Sequence, residues 1–252
     1  MKIGLFGYPG DQLARTKAVY AALRAQGAES FVCLGGLVWG GRKGEEEPDQ
    51  PGSVLRWLRS NNIPTLANDT DRQVAGWRLQ ALTNTTGYLT LRVRKLLAAI
   101  SREEAQWIYS RPNALPLDNI LCCADILTID ALYPVPLSRF NAEKLFGLAA
   151  QKAVFFPSAN GPSLIVRKQQ DGVLEATKFH DIEEQLDSPK IAAILGGIVG
   201  YPPLNGDVSW GAIVDSEATL LSLVCLNAKT SRSIPLEGRL LVQRSVVQWR
   251  GH

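Results

Sequence analysis

Residues Pro64 to Gly76 read PTLANDTDRQVAG. An apolar lead-in runs into the polar cluster Asn68-Asp69-Thr70-Asp71 and then into a helix start. Strand, acidic tip, helix is the order in which α/β proteins present ligand-binding groups at the carboxyl edge of a sheet. The question is whether this tip still carries enough donors to hold a metal ion.

The surroundings place it in an alternating chain. Upstream, KIGLF (2–6) reads as a short buried strand, and Leu13, Val19 and Leu23 fall at helical spacing in a segment ending on Gly27 as C-cap. SFVCLG is a second strand, SVLRWLRS a helix and IPTLA a third strand. Downstream, SREEAQWIYS has Ser101 and Glu104 at capping-box spacing, where hydroxyl and carboxylate satisfy each other's orphan amides. NILCCADI is a fourth strand, NAEKLFGLAA a helix and AVFFP a fifth strand. After Pro157 the chain turns strand-rich: SLIVRK, GVLEATKF, KIAAIL, SWGAIVD, TLLSLVCLN and RLLVQRSVVQW, joined by Gly, Pro, Asn and Asp turns. Units of strand and helix followed by a mostly β half predict an α/β (α+β) fold. Two mixed sheets pack face to face with helices outside, in one domain over 1–252. The charged, proline-bearing stretch 40–52 is expected to be an exposed loop.

Composition narrows the function classes. Apolar residues at 46% and charged residues at 20% allow a sizeable core. A net charge of +3 is too small to argue for nucleic acid or an anionic membrane surface. The densest basic cluster, Arg92, Arg94, Lys95 and Arg102, reads as a solvated helix face. No apolar run reaches the roughly 20 residues of a membrane span, and MKIGLFGYPG lacks a signal-peptide core, so the expected location is the cytoplasm. Cys33, Cys122, Cys123 and Cys225 lie in apolar segments without CxxC spacing and read as reduced core thiols. Gly4, Gly7 and Gly10 do not match the G-x-G-x-x-G of dinucleotide folds.

The strand-end loops read FGYPGD, LGGLV, ANDTD, CCADI and FPSANGP, followed by LGGIVGYP and NGDVSWGAIVD. In that order and spacing the pattern, from Met1 to about Asp215, resembles the calcineurin-like metallophosphoesterases, closest to their small bacterial phosphodiesterase or protein phosphatase branch. Members of that family use two metal ions about 4 Å apart to bridge a phosphate and activate a water. Their ligands come from D-x-H, G-D, G-N-H-D, a lone His and G-H-x-H. The resemblance puts Tyr8 at the first aspartate and Gly10 at the first histidine. Gly36 falls at the bridging aspartate, Asp69 at the asparagine ligand, Thr70 at the phosphate-protonating histidine and Asp71 at the closing acid. Ala124 falls at the lone histidine, and Ser158 and Asn160 at the final pair.

The only histidines, His180 and His252, match none of these places. Asp69, with neutral Ser158 and Asn160, cannot offset two close divalent cations. Asp69 and Asp71 read as turn and helix-dipole chemistry, and Tyr8 as a filler of the vacated site, its hydroxyl paired with Asp69 or Asn160. Asp125 reads as a strand-end cap. The expected function is therefore a non-catalytic phosphoesterase-fold protein with no cofactor, acting as a binding, regulatory or assembly module. Such a module implies a protein partner, leaves room for a homo-oligomer, and requires neither nucleic acid nor membrane. The competing expectation is a phosphoesterase with a rebuilt single-ion site from Asp69, Asp71, Asp125 and Asp11.

Overall fold

The computed structural model describes residues 1–10, 12–38, 52–80, 91–117 and 120–125, together with the strands between 153 and 248 given below. For 91–93 and much of those later strands the description is of backbone only.

The chain opens with β1 (Lys2–Phe6), α1 (Leu13–Ala25) and β2 (Ser30–Cys33). Four helices follow, α2 (Ser53–Ser60), α3 (Asp69–Leu79), α4 (Leu91–Ala99) and α5 (Arg102–Tyr109), and then the hairpin β3 (Ala114–Leu117) and β4 (Ile120–Cys123). The second half contributes β5 (Ala153–Ser158), β6 (Leu164–Lys168), β7 (Leu174–Lys178), β8 (Glu184–Gln185) and β9 (Ile191–Gly196). It ends with β10 (Val208–Asp215), β11 (Leu220–Asn227), β12 (Arg232–Pro235) and β13 (Val247–Gln248).

Two mixed sheets result. One runs β12-β11-β10-β1-β2, with β8 also on β11; the other runs β13-β7-β6-β9-β5-β4-β3. The two-residue period of a strand explains how each faces its neighbours. Ile3, Leu5, Val32, Leu34, Ala212 and Val214 of the first sheet join Ile120, Cys122, Ala124 and Phe155 of the second in one buried cluster. Their neighbours in sequence, Phe6, Cys33 and Ile213, belong to a second cluster with Val19, Leu23, Val54, Leu58, Val74 and Ile108 from the helices. Alternation thus sends one set of side chains between the sheets and the other under the helix layer. Gly211 lets Leu23 of α1 pack close against β10, since a Cβ there would lie 2.9 Å from its side chain.

Most of the expected elements form where the pattern puts them. The segment 63–67 is the exception. It makes only a single bridge, Cys33 to Thr65, through Cys33 N–H to Pro64 O and Leu66 N–H to Cys33 O, both 2.9 Å. Pro64 has no N–H to extend a ladder. The expected strand 119–126 is four residues long and is half of a hairpin, with Pro116 on the edge strand β3 where no donor is required. The basic cluster is divided: Arg94 sits on α4 and Arg102 on α5, both exposed. Of the loop expected over 40–52, Gly52 is described, and it is buried as the left-handed N-cap of α2. The helix expected at 141–150, the loop residues 40–51, and Trp39, His180 and His252 lie outside the described residues. Among the described residues no helix is long and apolar enough to cross a membrane.

Candidate functional site at the strand tips

The carboxyl tips of β1, β2, β4 and β5 meet where the resemblance placed the ligands. A Cβ on Gly7 would lie 2.8 Å from Pro157 Cβ, and one on Gly35 would lie 3.3 Å from Ala124 Cβ and 3.4 Å from Asn68 N. The chain after β2 turns through two left-handed glycines, Gly35 (φ 95°) and Gly36 (φ 77°). That turn accepts Tyr8 N–H on Gly35 O at 2.7 Å and Gly10 N–H on Gly36 O at 3.2 Å. The loops after β1 and β2 are thereby locked together by backbone alone.

Tyr8 lies on this turn. Its backbone is left-handed (φ 51°), a conformation that costs a non-glycine residue about 1–2 kcal/mol. A Cβ on Gly36 would come within 2.7 Å of Tyr8 Cα and overlap its ring, so glycine there is what lets the ring in. Burial, then the charges of Asp125 and Asp71, push the phenol well above its ordinary range, against the opposing hydrogen bond with the Asn68 side chain. Tyr8 therefore pairs with the Asn68 side chain. Asn160 lies outside the described residues, as does Asp11.

Asn68 is the residue that the sequence reading passed over. It is the N-cap of α3, taking Asp71 N–H on Oδ1 at 2.7 Å, while its own N–H donates to Asp71 Oδ2 at 3.1 Å. The signal was available as Asn-x-x-Asp ahead of a helix, a capping box in acid form. Asp69, one place on, is exposed, and its N–H donates to Asp125 Oδ2 at 2.9 Å. Burial first and then the nearby Asp69 charge raise the Asp125 carboxyl, while the Asp69 N–H and Arg72 oppose them.

Asp71 is wholly buried. Besides Asn68 N–H its carboxylate accepts Gly36 N–H on Oδ2 at 2.9 Å and Val38 N–H on Oδ1 at 3.0 Å. Burial raises its carboxyl from 3.8 to about 6 against these three bonds, with the Asp125 charge adding to the rise. A carboxylate has about four lone-pair directions, and three here face fixed backbone donors. Asp71 is held by the fold and is not aimed at a cleft.

Of the other positions, Gly10 (φ 51°) and Gly36 bring only backbone, and Thr70 is exposed. Ala124 is buried, its N–H on Asn113 O at 2.7 Å, and Ser158 is seen as the end of β5, paired with Gly196. Among the described residues no three of His, Cys, Asp and Glu converge so as to hold a metal ion. The donor set described here does not fit the two-ion centre that the fold implies. Cys33 lies beneath the tip, and burial pushes its thiol, like that of Cys122, up to about 12, which makes both poor nucleophiles.

No family model matches the sequence, and no curated protein matches it. Solved structures do. A metallophosphoesterase from Sphaerobacter thermophilus superposes with a TM-score of 0.63 at 16% identity, covering 88% of this chain and 87% of its own. A hypothetical protein from Pyrococcus horikoshii OT3 gives 0.56 at 11% identity, covering 88% and 86%. At such identities the likeness establishes the fold: the chain has the metallophosphoesterase αββα sandwich.

Proposed function

We propose that this chain is a non-catalytic phosphoesterase-fold protein, a cytoplasmic binding, regulatory or assembly module that works without a metal or other cofactor and docks a protein partner. One observation carries the reading. Asp71, the buried acid of the tip, spends its carboxylate on the amides of Gly36, Val38 and Asn68. The place of the bridging acid is Gly36, which brings no side chain, and the neighbouring buried acid is already taken up by backbone amides. Tyr8 over Gly36 supports it, because its ring takes up space at the same tip. Among the described residues no acid stands at the bridging place and Thr70 stands at the proton donor's, so neither contribution to phosphoester hydrolysis has its residue there.

The test is direct. Purified untagged protein is expected to contain no stoichiometric Mn, Fe, Zn or Mg, and to show no turnover of a generic phosphodiester in millimolar Mn²⁺. Turnover above that of an Asp125→Ala control would defeat the proposal. A melting temperature that climbs with Mn²⁺ or Mg²⁺ would favour instead a single ion held at Asp69 and Asp125, since binding to the native state alone must stabilise it.

A further inference from the structure

The geometry after β2 has the form of an anion cradle. Two left-handed glycines in succession turn the backbone so that Gly36 N–H and Val38 N–H both reach the Asp71 carboxylate, one on each oxygen. Asn68 N–H arrives from across the turn, 3.1 Å from the oxygen that Gly36 also contacts. The carbonyls of Gly35 and Gly36 face the other way, toward Tyr8 and Gly10. Donors on one side and acceptors on the other make a site that offers three amides to a carboxylate.

We propose that the tip of β2 is a carboxylate-binding cradle whose resident ligand is the chain's own Asp71 side chain. It closes the turn onto α3 from inside the protein. The ligand class is a small planar carboxylate, with one oxygen shared by two amides and the other on a third. The fully buried position of Asp71 supports the assignment, since a charge withdrawn from water needs such donors. The cradle stands whether or not the chain has any activity, and its test is independent of the hydrolysis assay.

Chemical rescue tests it. In Asp71→Ala the three amides lose their acceptor and the space of one carboxylate opens. Sodium formate is expected to raise the melting temperature of this variant by a few degrees and to saturate, measured against sodium chloride at equal ionic strength. The same formate leaves wild type and Asp71→Asn unmoved, because their own side chains fill the cradle. Equal shifts in all three proteins, or none in Asp71→Ala, would overturn the proposal. Should Asp71→Ala fail to fold, amide exchange in the wild type still decides. Gly36, Val38 and Asn68 N–H must exchange as slowly as the amides of β1, with EDTA making no difference. Rapid exchange at Gly36 and Val38 would overturn it.

Discussion

Among the described residues the same helix-capping device occurs twice. At α5, Ser101 and Glu104 exchange side-chain and backbone bonds at 3.0 and 2.7 Å, and at α3 Asn68 and Asp71 do so at 2.7 and 3.1 Å. What differs is where the remaining acceptor goes. Glu104 turns its other oxygen to Arg56 of α2, whose side chain is 52% exposed, at 2.9 Å. Asp71 turns its carboxylate to two loop amides and has no solvent at all. The first box caps a helix and joins it to a neighbouring helix through the half-exposed Arg56. The second caps a helix and holds the turn that follows β2. Both acids are buried, so the partner that the fold brings to the remaining oxygen, not the motif, sets what a capping acid does.

That contrast can be broken by substitution, and the largest effect is expected at Asp71. Asp71→Asn keeps the size but turns an N–H₂ group toward backbone donors. Leaving buried partners unpaired is expected to cost about 3–5 kcal/mol. For a chain of this size that is a fall in melting temperature of roughly 6–15 °C, read by thermal or urea unfolding. A loss as small as that at Glu104 would erase the distinction between the boxes.

Acidity sharpens it. The Asp71 carboxyl is raised from 3.8 to about 6 in the fold, so the unfolded chain gives up this proton first. The stabilisation linked to its protonation is complete below pH 3.8 and is lost as pH rises through about 6. Two units at about 1.4 kcal/mol each give about 3 kcal/mol. Asp125, also raised, acts in the same direction. In urea titrations the gap between wild type and Asp71→Asn is expected to widen as pH falls from 7 to 4.5. A gap that narrows would mean that the three amides outweigh burial.

Gly36→Ala tests the floor of the same turn. A left-handed φ of 77° and a Cβ only 2.7 Å from Tyr8 Cα are expected to cost about 2–3 kcal/mol, seen as an earlier urea midpoint with unchanged slope. Glu104→Gln should cost only about 1 kcal/mol, because solvent and Arg56 can re-form partners. Arg59→Ala removes an exposed pair with Glu103 and should change stability by less than about 0.5 kcal/mol.

Much of this molecule was legible before its structure. The alternation of Ile3 and Leu5 with Gly4 and Phe6 predicts a strand with two buried faces, and Leu13, Val19 and Leu23 predict the helix above it. Ser101 and Glu104 announce their own helix. These readings succeed because each depends on residues within one or two turns of chain. Asn68 and Asp71 obey the same local rule, yet the tight acidic cluster drew the reading toward metal ligands. The partners that settle the matter lie 35 and 33 residues upstream. The hairpin strand β3 escaped because Ala114 to Leu117 shows no apolar alternation and carries a proline. The division of the basic cluster between α4 and α5 depends on where one helix stops.

Sequence alone determined the elements whose signal is local, such as β1, α1 and α5, since periodicity and capping residues are properties of the chain itself. Tertiary structure alone decided that Asp71 serves as an internal anion for backbone amides and that Tyr8 pairs with Asn68. Those outcomes require distant segments to meet where water is excluded, and there a carboxylate must take whatever donors the fold brings to it.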